Sequence, residues 1–396
     1  MANVSYKVAI RDHSGNIIAR FSGLGRPQGG GMSGVSYVRR LRDPDTVTLP
    51  IFGADPRITE FMLDPSPGDY GGLDYLIEVY RRDLVGGLPF TRDATGLLRA
   101  DGADQNEEGQ LFYVANGTGL NVWHYAEEIA YPSGSSQSSK SGDVATVAAE
   151  FVDENIGPNA GNDNDGQSRV RPYLTIVAPT ASGVTWRGGR SYKLLSDVVQ
   201  ELASRANAQY KIENHCPEDA SGTPDFRWTW KSIYGKDVRP DNTAGNPPVV
   251  FSALQGTASR NRVGINRNND LTSVYALGQG RESSRRRSDV NDLAALAASP
   301  WARRAVSRNW SSAYPTAELE AAGFATIEAQ KALPDVSFDI LQTPAVRYKR
   351  EWDLGYIVRY IDYFGREFDI TVISVGVGLA QDGTETITIG GELYNG

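Results

Sequence analysis

The sequence predicts a β-rich α+β chain, with strands gathered at its two ends and helices between them. Three observations carry this. Apolar and polar residues alternate in short runs over the first 130 residues or so and again over the last fifty. Between them, apolar residues recur at helical spacing. Finally, 42 Gly supply turns, while 19 Tyr, 7 Trp and 12 Phe favour pleated strands. At 396 residues the chain exceeds one ordinary domain. Texture changes divide it into an N-terminal β-rich domain (1–130), an α+β domain (131–222), a mixed strand and helix domain (223–335) and closing strands (336–396). The two β-rich ends are expected to belong to one barrel.

The elements follow in order. "NVSYKVAIRDHSGNIIARF" holds two strand runs around Ser14, Gly15 and Asn16, a hairpin signal. In "VSYVRRLRDPDTVTLPIFG", Val47 and Leu49 alternate with Thr46 and Thr48. "DYLIEVYRRDL" sets Leu76, Glu78 and Tyr80 against Ile77, Val79 and Arg81, a strand with one polar-tolerant face. "SGSSQSSKSGD" reads as a loop ending at a helix, with Asp143 as N-cap, Gly157 as stop and Val144, Val147, Ala148, Phe151 and Val152 at helical spacing. "RPYLTIVAPT" is a strand. "SYKLLSDVVQELASRANAQ" is a helix capped at Ser191, with Leu194, Leu195, Val198 and Leu202 on one side. "YKIEN", "FRWTWKS" and "PVVFSA" are strands, Phe226, Trp228 and Trp230 sharing a face. "SDVNDLAALAASPWARRAVSR" predicts a helix broken at Pro300, and "TAELEAAGFATIEAQKAL" a further helix. Phe368, Ile370 and Val372 then share one face of a hairpin turning at Tyr363, Phe364 and Gly365, and "ETITIGGEL" adds a third strand.

Composition excludes several classes. A net charge of −8 is a poor footprint for coating nucleic acid. One cysteine, Cys216, rules out a disulfide framework. The N-terminus lacks an apolar signal core and no apolar run reaches bilayer length, so the chain is expected to be made in a cytoplasm, without membrane insertion. His13, His124 and His215 are too scattered to gather a metal. "GNDNDG" (161–166) lacks the first ligand and the final glutamate of a calcium loop. "GLGRPQGGG" (23–31) precedes a strand where a phosphate loop needs a helix. The basic cluster Arg285, Arg286 and Arg287 suits a solvated loop or a subunit contact. No G-x-S-x-G occurs. No catalytic residue, metal or cofactor is expected.

In "REWDLGYIVRYIDYFGREFDITVISVGVG", Asp353, Asp362, Glu367 and Asp369 read either as acid/base groups or as polar edges of strands. Asp362 and Glu367 flank the turn, with Arg359 and Arg366 as partners, and Asp353 caps the turn leading in. The strand-edge reading is preferred. Its rival is a glycan-acting enzyme using Glu127 with Asp153, or Asp353 with Glu367, or a carbohydrate-binding module stacking sugars on Trp228 and Trp230.

The chain runs in order through "SYVRRLRDPDTVTLPIFG", "LDYLIEVYRRDL", "VATVAAEFVDENIG", "LLSDVVQELASRANAQYKI", "VVFSALQGT", "SVYALGQGRESSRRR" and "SPWARRAVSR". This order of phrases resembles the siphovirus Gp37-like family of phage tail hub or baseplate-hub components. The closing phrase stands as "YKREWDLGYIVRY", where Trp352, Asp353, Leu354, Gly355 and Val358 match and Tyr356 replaces an Asp. The resemblance implies a phage tail-hub-like fold with two barrel-like β domains and peripheral α+β insertions. It implies a homotrimeric ring at the distal tip of the virion tail, in which six barrels mimic six tube subunits. It also implies that the ring joins the tail tube and distal tail proteins to spike or fibre proteins, with the genome passing through its lumen. Its functional residues are then structural or interface residues: Trp352, Asp353, Gly355, Tyr356, Arg285, Arg286, Arg287, Arg303 and Arg304. Many relatives carry a lytic domain after the hub. This sequence stops after its closing strands, so lysis is expected of another polypeptide.

Overall fold

The computed structural model describes residues 4–26, 29–63, 74–85, 87, 89–105, 109–129, 137–163, 166–265, 267–268, 270–280, 284–310, 316–331 and 334–394. Strand accounts for 44% and helix for 15%, about twice the strand of an average domain, so the chain is β-rich α+β.

Seven strands come first: β1 (Val4–Arg11), β2 (Ile17–Ser22), β3 (Val35–Arg40), β4 (Thr46–Phe52), β5 (Leu76–Asp83), β6 (Thr91–Gln105) and β7 (Leu111–Thr118). Asp12 closes the first hairpin by accepting from the N–H groups of Ser14 and Asn16, while Gly15 takes φ +87°. A short helix α1 (Val122–Tyr125) follows. Next come β8 (Ser138–Asp143), α2 (Val144–Asn155), β9 (Leu174–Ile176), β10 (Thr185–Arg190), α3 (Leu195–Arg205), β11 (Gln209–Asn214) and β12 (Phe226–Lys231). The last part holds β13 (Val250–Ser252), β14 (Ala258–Ile265), β15 (Ser273–Leu277), β16 (Arg287–Asn291), α4 (Leu293–Ala298), β17 (Ala305–Asn309), α5 (Thr316–Gln330), β18 (Pro334–Ile340), β19 (Ile357–Ile361), β20 (Glu367–Leu379) and β21 (Glu385–Leu393).

Thirteen strands share one sheet, and that sheet curls into two rings. The first runs β2-β1-β5-β6-β7-β4 and closes where Met32 bridges both Leu24, just past β2, and Ile51 of β4. The second runs β14-β18-β21-β20-β19-β13 and closes through the turn from Ser252 to Ala258, fastened by Thr257 N–H to the Ser252 carbonyl at 3.1 Å. Phe338 stacks on Tyr360 across this ring at 4.6 Å and meets Phe251 at 5.3 Å, so its interior is filled. β3 joins the rings, pairing with β4 on one side and β20 on the other.

The rings share a plan. The order β4-β7-β6-β5 in one and β18-β21-β20-β19 in the other is antiparallel throughout. In each, the second hairpin is built on a long strand, β6 of 15 residues or β20 of 13. Each long strand carries a bulge against its return strand, between Leu98 and Ala100 and between Val372 and Ser374. A bulge bends a long strand enough to serve two walls of a barrel.

One apolar core fills both rings, from Val8, Phe21 and Ile51 to Phe338, Trp352 and Tyr360. A second packs α2 and α3 on the sheet β11-β12-β9 through Phe151, Leu202, Tyr210 and Trp228. A third, smaller one sets α5 on the sheet β16-β15-β17 through Val274, Val290 and Ile327. Residues 223–335 therefore contribute to all three cores.

Four local readings change. The serine-rich run ends in strand β8, because Ser138–Asp143 pairs antiparallel with β10. Ser191 does not cap α3: Tyr192 and Leu195 donate to the Ile129 and Glu127 carbonyls, which holds the backbone extended until Leu195. The helix expected over 288–308 is only Leu293–Ala298, because its flanks pair with β15 as β16 and β17. β5 has no solvent face, since Leu76 through Arg81 are all buried. By contrast, Asp143 caps α2 as expected, accepting from Ala145 N–H at 2.9 Å.

Candidate functional site

The "WDLGY" phrase sits where the chain leads into β19. Trp352 is fully buried. Its Nε1–H donates to the Val346 carbonyl at 2.9 Å, and its ring meets Tyr348 at 5.0 Å and Phe251 at 5.4 Å. Gly355 holds φ +83°, and a Cβ there would lie 2.8 to 3.0 Å from Tyr234 and the Gly235 nitrogen, so only glycine fits. Tyr356 packs half-buried against the first core. It occupies the departure from the family phrase as an apolar contact.

Asp353 opens onto a buried ionic cluster that single-strand patterning does not reveal. Its carboxylate accepts from Arg39 at 2.5 Å, from Lys349 at 3.1 Å and from Leu354 N–H at 2.7 Å. At the centre lies Asp93 of β6, with no exposed side-chain surface, 3.1 Å from Arg39 and 3.0 Å from Lys349. Tyr37 and Tyr348 donate their hydroxyls to it at 2.6 and 2.8 Å. Two cations thus balance two carboxylates. Burial alone would raise the Asp93 carboxyl, but Lys349 and Arg39, helped by the two hydroxyls, outweigh it and hold it well below the usual range. Asp353 is lowered in the same way, by Arg39 and Lys349 against burial. Beside this cluster Arg81 of β5 grips Glu385 of β21 with two 2.8 Å bonds, and Tyr6 of β1 donates to the same carboxylate. The set ties strands of the first ring to strands and loops of the second.

A second buried cluster fastens the first ring to the α+β part. Glu78 and Arg11, both fully buried, pair at 2.9 Å, and Arg92 lies 3.2 Å from Glu78. Arg11 also donates to the Ala220 and Pro217 carbonyls, and Arg92 to those of Asn214 and Cys216. One signal did exist in the sequence: Glu78 and Arg81 interrupt a strand otherwise rich in apolar residues.

The other candidates are placed as follows. Arg285 donates to the Gly278 carbonyl and to Asn309, Arg287 pairs with Asp289 and Arg286 lies between them. Arg303 donates to the Tyr275 hydroxyl, and Arg304 to the Arg267 and Asn268 carbonyls. All five surround the small sheet β16-β15-β17. Arg281 lies outside the described residues. The proposed carboxylate pairs are committed elsewhere. Glu127 is held by Arg169 and Arg171, Asp153 by Asn159, and Glu367 by Arg359. Trp228 and Trp230 lie inside the second core, 0% and 6% exposed, and offer no platform to a sugar. Asp362 accepts from Phe364 N–H, Arg366 N–H and the Arg366 side chain, as a turn residue does. In the Gly23–Gly31 loop, Gly31 donates to Asp55, and a Cβ on Gly30 would crowd that same residue. Pro27 and Gln28, like Asn164 and Asp165 of the "GNDNDG" run, lie outside the described residues. Among the described residues, no three His, Cys, Asp or Glu side chains gather around a metal position, and no helix is long and apolar enough to cross a membrane.

Two mainly antiparallel rings in tandem are sewn together by buried ions and flanked by small α+β units, and the fold is similar to that of solved tail proteins. The tail protein from Neisseria meningitidis MC58 superposes with a TM-score of 0.55 at 12% identity, covering 98% of this chain and 96% of that one. The prophage MuSo2 43 kDa tail protein from Shewanella oneidensis gives 0.54 at 12% identity, covering 98% and 97%. No curated protein matches in sequence. The chain belongs to the Siphovirus ReqiPepy6 Gp37-like protein family, a phage tail protein family matched over residues 94–391.

Proposed function

We propose that this chain is the hub of the distal tail, where three copies form a ring joining the tail tube to receptor-binding or cell-puncturing proteins. One observation carries the reading: each subunit holds two rings of like strand order fused through β3. Three subunits then present six barrels to a sixfold tube, a symmetry match that one barrel per subunit would not give. In this reading the role is structural, without catalysis, and the arginines around β16-β15-β17 serve contacts between proteins. Light scattering of the purified chain on a sizing column tests it. The expected mass is about three times the 43.1 kDa of one chain, and a dimer or hexamer contradicts the reading.

A further inference from the structure

Among the described residues, two strand edges have no backbone partner on one side and carry opposite charge. β17 is the outer strand of its sheet, and among the described residues nothing pairs with its far side. Ala305, Ser307, Arg308 and Asn309 are exposed along it. Exposed Arg303 and Arg304 precede it, and Trp301 stands 89% exposed just before them. The second edge belongs to β6. Its pairing with β5 ends at Leu97, and Leu98, which donates to the Tyr75 carbonyl and accepts from Asp74 N–H, extends it by only one residue. Beyond that, Ala100–Gln105 pairs with β7 alone among the described residues. Gly102, Ala103, Asp104 and Gln105 are exposed there, with Asp101 half-buried beside them. Leu63 N–H donates to Asp101 at 2.8 Å, which places the exposed Met62 next to this edge.

We propose that β17 of one copy adds to the free edge of β6 of the next, with Arg308 facing the Asp104 end and Trp301 covering Met62. The occupant is a second copy because the needed chemistry is complementary on the same chain. Arginines along an edge repel a like edge and so block β17 from pairing with β17, and aspartates do the same for β6. Only the unlike pairing neutralises both and satisfies both rows of backbone groups. Such a contact is heterologous, and heterologous contacts propagate around a ring. A bare aromatic at the margin supplies the kind of residue that dominates interface energies. The inference rests on the ring reading above and names the surface that closes it.

The test compares masses of the full chain and its variants by mass photometry, with light scattering at high concentration. Arg308→Glu and Asp104→Arg, each alone, are expected to raise the concentration for half-assembly about tenfold, and Trp301→Ala similarly. The double variant Arg308→Glu with Asp104→Arg restores the wild-type value, because every contact is complementary again. The double variant Asp104→Cys with Arg308→Cys should trap covalently linked copies on oxidation, with native Cys216 buried and silent. Wild-type trimers that all variants leave intact overturn this edge contact and leave the ring reading standing. A wild-type chain that stays monomeric at every concentration overturns both.

Discussion

Asp93 concentrates the account at a single residue. It is wholly buried yet ionised, held by Arg39, Lys349 and two tyrosine hydroxyls. Removing one member of a buried ion cluster leaves the rest desolvated and unpaired. Asp93→Ala is therefore expected to cost about 3–5 kcal/mol, read as a shift in urea midpoint, and an unchanged midpoint would contradict the assignment. Its lowered pKa means that its contribution is present above the usual carboxylate range and is lost as pH falls through the folded value. His124 acts in a different window. Burial lowers it to about 4, and its Nε2 has no partner among the described residues. Between pH 6.5 and 4 the unfolded chain takes up a proton that the folded chain refuses, so stability falls as pH drops. The loss amounts to about 3 kcal/mol. Melting curves at pH 7.5 and 4.5 should show it, and His124→Phe should flatten the difference.

Helix α2 shows what one element owes to one cap. Asp143 accepts from the N–H groups of Ala145, Ser182 and Gly183 and from the Ser182 hydroxyl, so it pins the β10 approach as well as the helix start. Asp143→Ala is expected to lower stability by about 2 kcal/mol, the upper end for an N-cap, while Asp143→Ser recovers part of it; calorimetry distinguishes the two. This cap was legible because its geometry is local. The start of α3 was not, because Glu127–Ile129, more than sixty residues earlier, fixes the backbone ahead of it. The same holds for β8, β16 and β17. Their residues carry weak strand signals, and partners distant in sequence decide their state. Asp353 was legible as a turn residue, whereas its partner Arg39 lies 314 positions away. Asp93 gave no local sign at all.

At the scale of the molecule, the β-rich ends and the helical middle followed from periodicity. That the ends form two rings did not, since ring closure depends on single bridges at Met32 and on the turn after Ser252. Both rings share one core and one bonded sheet, so they are expected to unfold together. β3 pairs with both rings, and the buried cluster around Asp93 links them a second time. The central claim is that one subunit supplies two places in a sixfold tail end. Electron cryomicroscopy of assembled tails, with this chain located in the density, tests it most directly. The account predicts three copies around the tail axis, with six barrels in register with six tube subunits. Six copies, or copies attached to the outside of the tube away from the axis, would contradict it.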